Sequence, residues 1–101
     1  ALRYALRLPM IRSFRHKGLK RLYGEDDPRG VAAEHPIKLR NILARLDAAG
    51  SVEDMNLPGF NLHSLKGQSR GFMAVTVRAN WRVIFRFVEG HAFDVDYLDY
   101  H

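Results

Sequence analysis

Five residues of this 101-residue chain have side chains suited to proton transfer and to phosphate binding: His63, Lys66, Arg82, Tyr100 and His101. Imidazole exchanges protons near neutral pH, and the planar guanidinium group makes paired contacts with phosphate oxygens. RNA supplies its own nucleophile, the 2′-OH beside each phosphate. A protein that cleaves it needs only a base, an acid and cations for the charge that develops on the phosphate. These residue types therefore fit RNA cleavage without a metal, and we expect no cofactor.

The same residues also have ordinary structural explanations. His63 could cap a strand, Lys66 could open a turn, and Arg82 with Arg86 could solubilise an exposed sheet face. Trp81 is more consistent with a core position than with base stacking, since it alternates in step with buried aromatic residues. Residue types alone leave a catalytic face and a solvated face both open.

Positive charge is concentrated in two segments, residues 10–24 and 61–88, that contain no acidic residue. A local positive potential attracts a polyanion even where net charge is modest. Three arginines of the second segment, Arg70, Arg78 and Arg86, are therefore predicted to bind RNA beside the five residues above, and Asn80 is predicted to bind it with them.

Residues 1–9, ALRYALRLP, are interpreted as a leader or added extension that is poorly ordered. They contain two arginines and no acid, but neither the apolar stretch nor the cleavage site of a secretory signal. A short amphipathic targeting helix is the alternative. Without these arginines the formal charge drops from +5 to +3. Residues 10–101 are long enough for one domain around one core.

Composition excludes several classes of protein. Hydrophobic residues make up 47% and charged residues 27%, as in a folded domain rather than a disordered chain. No apolar run approaches the roughly 18 residues of a membrane span. Cysteine is absent, which excludes disulfides, a thiol nucleophile and a cysteine zinc site. We expect a cytoplasmic protein that does not associate with membranes.

The spacing of apolar residues predicts two helices before residue 50. Leu19, Leu22 and Tyr23 follow a helical period, and a second helix is predicted to begin at Pro36 and to stop at Gly50. The apolar stripe of the second helix contains Leu39, Ile42, Leu43 and Leu46.

Strand composition follows in NLHSLK, GFMAVTVR, WRVIFRFV and HAFDVDYL, and the short connections predict antiparallel pairing. Residues 10–14 are a candidate edge strand. Alternation predicts one sheet face packed on the helices, with Phe93, Val95 and Tyr97 among its core residues, and an opposite face that is polar and basic. The fold class is therefore α+β, with two N-terminal helices on a mainly antiparallel sheet.

Asp94, Asp96 and Asp99 could be read as a magnesium site, but no further acid or motif supports it. The remaining histidines, His16, His35 and His91, lack partners at ligand spacing, and we expect them to be structural or exposed.

Four stretches of the chain resemble the HigB toxins of the RelE-like superfamily: MIRSFRHKGLKRLY, NLPGFNLHSLKG, VRANWRVIFRF and DVDYLDYH. The resemblance runs from Met10 to His101. It implies a microbial-ribonuclease-type fold with a twisted sheet, cleavage of messenger RNA in the ribosomal A site, and neutralisation by a helix-turn-helix antitoxin similar to HigA.

The resemblance also implies an active site, carried by three motifs. LHSLKG supplies His63 and Lys66, NWR supplies Arg82, and the chain end supplies Tyr100 and His101. Arg82 would contact the scissile phosphate, a histidine would transfer protons, Lys66 would add charge, and Tyr100 would orient the phosphate or stack on a base. Family members have proline at the position of Ser64, which alters loop stiffness but removes no catalytic group.

Two further classes remain open beside an endoribonuclease. A nucleic-acid-binding domain without turnover needs only the basic face, and an interaction protein needs only to bind an antitoxin. Binding alone does not require imidazole groups, so the histidines favour the enzyme.

Overall fold

The computed structural model describes residues 10–100. Its helices are α1 (Lys17–Glu25) and α2 (Pro36–Ala48), and its strands are β1 (His63–Ser64), β2 (Met73–Arg78), β3 (Trp81–Val88) and β4 (His91–Asp99). Short 3₁₀ helices occupy Pro28–Gly30, Val52–Met55 and Gly67–Ser69. The predicted α+β class is confirmed. The predictions for residues 1–9 and for the position of His101 lie outside the described residues.

Local signals explain where both helices begin and end. His16 caps α1, since its Nδ1 accepts a hydrogen bond of 3.0 Å from the Leu19 N–H. The helix ends at Glu25, and the next residue, Asp26, adopts a left-handed conformation with φ of 55°. Pro36 occupies the first turn of α2, and the four predicted leucine and isoleucine positions are its buried residues. Both predicted helices are confirmed.

A close backbone approach joins α1 to the loop that follows it. Gly18 is buried, and a Cβ atom added there would lie 2.1 Å from the Gly30 carbonyl oxygen. Asp27 orders the same loop by accepting hydrogen bonds from the backbone and side chain of Arg29. The side-chain hydrogen bond from Arg29 is the main cause that lowers the pKa of Asp27 to about 2.

The sheet has the order β1-β2-β3-β4 with every neighbouring pair antiparallel. Two-residue turns, Ala79–Asn80 and Glu89–Gly90, join the last three strands. Residues 10–14 run parallel to the free edge of β4 through the bridges Ile11↔Ala92 and Phe14↔Val95. This N-terminal segment lies at the edge of the sheet as predicted, but it forms two isolated bridges there rather than the predicted strand.

The core lies between the helices and one face of the sheet. Val75, Val83, Phe85 and Val95 are fully buried there, and Trp81 packs against them with part of its ring exposed, as predicted. The opposite face, called the outer face below, carries a second apolar cluster of its own. Its buried members are Phe72, Ala74 and Ile84, with Leu65 and Leu98 packed around them. The prediction of a polar and basic outer face was therefore wrong at the centre of that face.

An irregularity in β4 changes which side chains face the core. Ile84 pairs with Asp96, but Arg86 pairs with Phe93, so β4 has one extra residue, and Asp94 adopts a φ of 54°. This bulge places Phe93 on the outer face opposite Arg86, while Ala92 is fully buried. The prediction that Phe93 shares the core face with Val95 was wrong, because the extra residue of the bulge reverses the alternation of side chains along β4.

Among residues 10–100, no helix has the length and apolar character needed to cross a membrane.

Candidate active site

Strand pairing brings His63 and Arg82 onto the outer face. His63 pairs with Ala74, Ala74 pairs with Ile84, and Arg82 lies two residues from Ile84 along β3, so its side chain points to the same side. With strands about 4.8 Å apart and about 3.4 Å per residue, the two Cα atoms are roughly 12 Å apart. An imidazole and a guanidinium group at this separation can approach one phosphodiester from two sides.

His63 is held in a defined orientation and tautomer. Its Nδ1 lies 2.8 Å from the backbone carbonyl oxygen of Asn61, which can only accept a hydrogen bond. Nδ1 therefore carries the proton, and in the neutral ring Nε2 keeps a lone pair. The half-buried side chain presents the nitrogen that a general base needs.

Within residues 10–100, the hydrogen bonds that hold Arg82 are made with neutral groups. Its Nη1 donates to the carbonyl oxygens of Ala79, at 2.5 Å, and of Trp81, at 3.1 Å. No carboxylate of residues 10–100 lies within salt-bridge distance of it. An arginine that is positioned but not neutralised is suited to binding a phosphate.

Arg86 differs from Arg82, although both project from the outer face. Its Nε donates to Asp94 at 2.9 Å, and Arg15 approaches the same carboxylate at 3.9 Å. The guanidinium group of Arg15 also lies 4.9 Å from the ring centre of Phe72. The charge of Arg86 is therefore already paired, and its predicted contact with RNA remains a prediction.

The same contacts bear on the magnesium alternative. Asp94 is engaged by two arginines, and an oxygen of Asp96 accepts a hydrogen bond from the Tyr97 N–H. Within the described part of the chain, no three histidine or acidic side chains are grouped as metal ligands would be. The donor groups of Asp94 and Asp96 are thus arranged for protein contacts.

Tyr100 is fixed beside the β2–β3 turn. The Tyr100 N–H donates to the Asn80 carbonyl oxygen at 2.8 Å, and the Tyr100 ring remains exposed. Asn80, Tyr100 and the Arg82 guanidinium group therefore meet at one turn. Among the predicted residues, these three are brought together most directly.

Lys66 and Arg70 lie toward the other end of the outer face. Both are exposed in the loop between β1 and β2, which contains the 3₁₀ helix Gly67–Ser69. A hydrogen bond of 2.9 Å from the Leu65 N–H to the Phe72 carbonyl oxygen closes this loop. His63 lies between Lys66 and the β2–β3 turn, so the predicted residues form a line across the face rather than a single cluster.

Arg78 does not join this line. Thr76 pairs with Arg82, but Arg78 pairs with Trp81, so the register shifts between Thr76 and Arg78. The shift places Arg78 on the same side of the sheet as Trp81, the side that faces the helices.

Thr76 was not among the candidate site residues predicted from the sequence, although it lies directly opposite Arg82 in the sheet. Its hydroxyl oxygen is buried and has no hydrogen-bond partner within residues 10–100. The alternation of β2 contained the signal for its side of the sheet, because Thr76 is in step with Ala74. Its lack of a partner could not be foreseen, since it depends on atoms contributed by other strands.

The remaining histidines have structural roles. His35 is 5% exposed, and its Nδ1 lies 2.5 Å from the Tyr97 hydroxyl. His16 caps α1 and contacts the Tyr97 ring edge-on, and His91 forms a hydrogen bond of 2.9 Å with Arg12. Burial is the main cause that raises the pKa of Tyr97.

Comparison with known proteins identifies close relatives. Residues 12–101 match a family described as "RelE-like toxin of type II toxin-antitoxin system HigB". The chain is 41% identical over 92 residues to a protein of Proteus vulgaris named "Endoribonuclease HigB", covering 91% of this chain and 100% of that protein. It is 35% identical over 97 residues to "Toxin HigB-1" of Vibrio cholerae serotype O1, covering 91% of this chain and 98% of that protein.

Proposed function

Since the chain belongs to the HigB-like family of RelE-like toxins of type II toxin–antitoxin systems, we propose that it is an endoribonuclease that cleaves messenger RNA in the ribosomal A site. The name of the Proteus vulgaris relative supports the activity. The observation that carries the proposal is the pairing, on one sheet face, of a histidine whose Nδ1 is held by a backbone carbonyl and an arginine that no carboxylate of residues 10–100 neutralises.

The proposed reaction uses the 2′-OH of the message as the nucleophile. His63 Nε2 removes the hydroxyl proton, and the oxygen attacks phosphorus to form a 2′,3′-cyclic phosphate as the bond to the 5′ oxygen breaks. Arg82 stabilises the extra negative charge in the transition state. His101 returns a proton to the leaving oxygen, Lys66 adds positive charge, and Tyr100 orients the phosphate.

The remaining predicted residues would hold the message. Asn80 lies in the turn next to Arg82, and Arg70 extends the positive potential past Lys66. In the cell, we propose a cytoplasmic location, because its substrate is the translated message. A toxin of this family acts with an antitoxin, and we propose a helix-turn-helix antitoxin similar to HigA.

Product chemistry tests the mechanism. Attack by the 2′-OH leaves a 2′,3′-cyclic phosphate or a 3′-phosphate, and a 2′-deoxy nucleotide at the cut site blocks the reaction. Products should be compared on translating ribosomes and, over long incubation, on free RNA. Free RNA should still be cleaved in excess EDTA. Cleavage of the 2′-deoxy substrate, or a strict need for added Mg²⁺ on free RNA, would contradict this mechanism.

Cleavage mapping also separates the enzyme from its alternatives. Primer extension on translated messages after induced expression should show new 5′ ends within codons. A protein that inhibits growth or binds RNA without producing such ends would be a binding or antitoxin-partner protein instead.

A further inference from the structure

A surface cavity of about 290 Å³ lies beside the β2–β3 turn, on the side of the sheet that faces the helices. It is lined by Glu34, His35, Arg78, Ala79 and Trp81. None of these residues has a role in the proposed chemistry. The cavity adjoins the proposed active site, because Ala79 lines it and the Ala79 carbonyl oxygen accepts a hydrogen bond from the Arg82 guanidinium group.

The aromatic wall of the cavity is rigidly supported. Trp81 stacks on Tyr97, with ring centres 4.6 Å apart and planes 28° from parallel. His35 contacts the Trp81 ring edge-on at 5.5 Å and is itself linked to the Tyr97 hydroxyl. The Trp81 ring is thus fixed from behind while part of it remains exposed to the cavity.

The rim of the cavity carries one group of each charge. Arg78 is turned toward it by the register shift in β2, and Glu34 precedes the buried His35 at the start of α2. A carboxylate accepts hydrogen bonds from amino groups of a base, and a guanidinium group donates to ring nitrogen and carbonyl acceptors. A phosphate group would contact Arg78 but would be repelled by Glu34.

We propose that this cavity binds a nucleobase of the message that neighbours the scissile phosphate. This proposal rests on the proposed function, since the base belongs to the same RNA whose phosphate is cleaved. The base stacks on Trp81, and Glu34 and Arg78 contact its edge. A volume at the lower limit of about 300 Å³ for small-molecule pockets suits one base. The RNA passes over the turn, with its phosphate at Arg82 and the adjoining base in the cavity.

Trp81 is the only tryptophan in the sequence, so its fluorescence reports on the cavity directly. The probe is a 2′-O-methyl trinucleotide, which binds but lacks the free 2′-OH needed for cleavage. The control probe is a trinucleotide of the same backbone without bases. The first should quench Trp81 in a saturable manner, and the second should not. Equal quenching by both would overturn the proposal.

Variants at the rim test the contacts. Arg78→Ala should weaken trinucleotide binding by about five-fold or more, whereas Arg45→Ala, an exposed arginine on α2, should leave it unchanged. Glu34→Gln should alter the order of affinities for trinucleotides that differ in one base. A carboxylate only accepts hydrogen bonds, whereas the amide that replaces it both donates and accepts them. Equal effects of Arg78→Ala and Arg45→Ala would contradict a site at this cavity.

The outcome is separable from that of the proposed function. If the protein cleaves RNA but its tryptophan does not respond to bases, the subsite inference fails and the nuclease stands. If bases quench Trp81 but no cleavage occurs, the cavity is confirmed as a base-binding site and the proposed nuclease activity fails.

Discussion

At the residue scale, the contrast between two arginines on the outer face gives the sharpest prediction. Arg82→Ala should lower cleavage by about a hundred-fold or more, because it removes from the proposed transition state a cation that no carboxylate of residues 10–100 neutralises. Arg86→Ala should have a much smaller effect, since Asp94 already neutralises that charge. Rates on translating ribosomes and growth inhibition measure both, with thermal unfolding as the control for folding. Equal losses of activity would show that charge pairing does not distinguish the two sites.

His63 is predicted to contribute through its Nε2 rather than through its charge. His63→Ala should lower the cleavage rate by about 10²- to 10⁴-fold, the usual contribution of a general base. The unfolding midpoint should change little, because the side chain is only half-buried. Single-turnover rates on ribosomes at several pH values are the measurement. Full activity of this variant would show that another residue is the general base.

The types of the site residues could be predicted from sequence, but their states could not. Alternation along β3 placed Arg82 and Arg86 on one face. Which of them keeps a free charge depends on Asp94, whose position follows from a bulge. The orientation of His63 depends on a carbonyl oxygen two residues earlier. Such contacts are set by backbone conformation, which residue spacing does not encode.

At the element scale, the contact between α1 and the loop after it predicts opposite effects for two glycines in one helix. Gly18→Ala should destabilise the protein by about 1–3 kcal/mol, because its Cβ would overlap the Gly30 carbonyl oxygen. Gly24→Ala should be neutral or stabilise by up to about 1 kcal/mol, since no atom lies within 4 Å of its added Cβ. Urea unfolding measures both. A stable Gly18→Ala variant would mean that α1 and the loop can separate at little cost.

The elements themselves followed well from the sequence, with one instructive exception. Pro36, Gly50 and the apolar stripe between them predicted α2, and the short connections between strands predicted the hairpins. Phe93 was assigned to the wrong face because β4 contains one more residue than its partner over the same length. The second apolar cluster around Ile84 was missed for a related reason. Its members come from segments distant in sequence and meet only once the sheet forms.

At the scale of the whole molecule, Tyr97 connects the helical layer to the sheet. Its ring contacts His16 and Trp81, and its hydroxyl lies at hydrogen-bond distance from His35. Its pKa is raised above the ordinary 10.0, chiefly by burial. The unfolded chain therefore loses this proton near pH 10 while the folded protein keeps it. The stability linked to this proton is present below pH 10 and lost as pH rises through the folded pKa.

Tyr97→Phe tests this linkage. At pH 7 the variant should be less stable by about 1–2 kcal/mol, because His35 loses its buried hydrogen-bond partner. Above pH 10 the difference in stability between the two proteins should shrink. Only the unsubstituted protein loses stability there, because its unfolded chain ionises the phenol while its folded state keeps the proton. Urea unfolding at pH values from 7 to 11 measures the difference. A constant gap across this range would exclude Tyr97 as the titrating group.

The parallel contact between residues 10–14 and β4 has a consequence for how the protein is made. Ser13 and Asp94, which share a hydrogen bond, are 81 positions apart in the chain. Contacts between such distant segments form late in folding, because a long loop must close first. During synthesis the first of these segments leaves the ribosome long before the second exists. Residues 10–14 therefore remain without this partner until β4 has been synthesised, and the sheet that carries Arg82 gains its parallel edge only then.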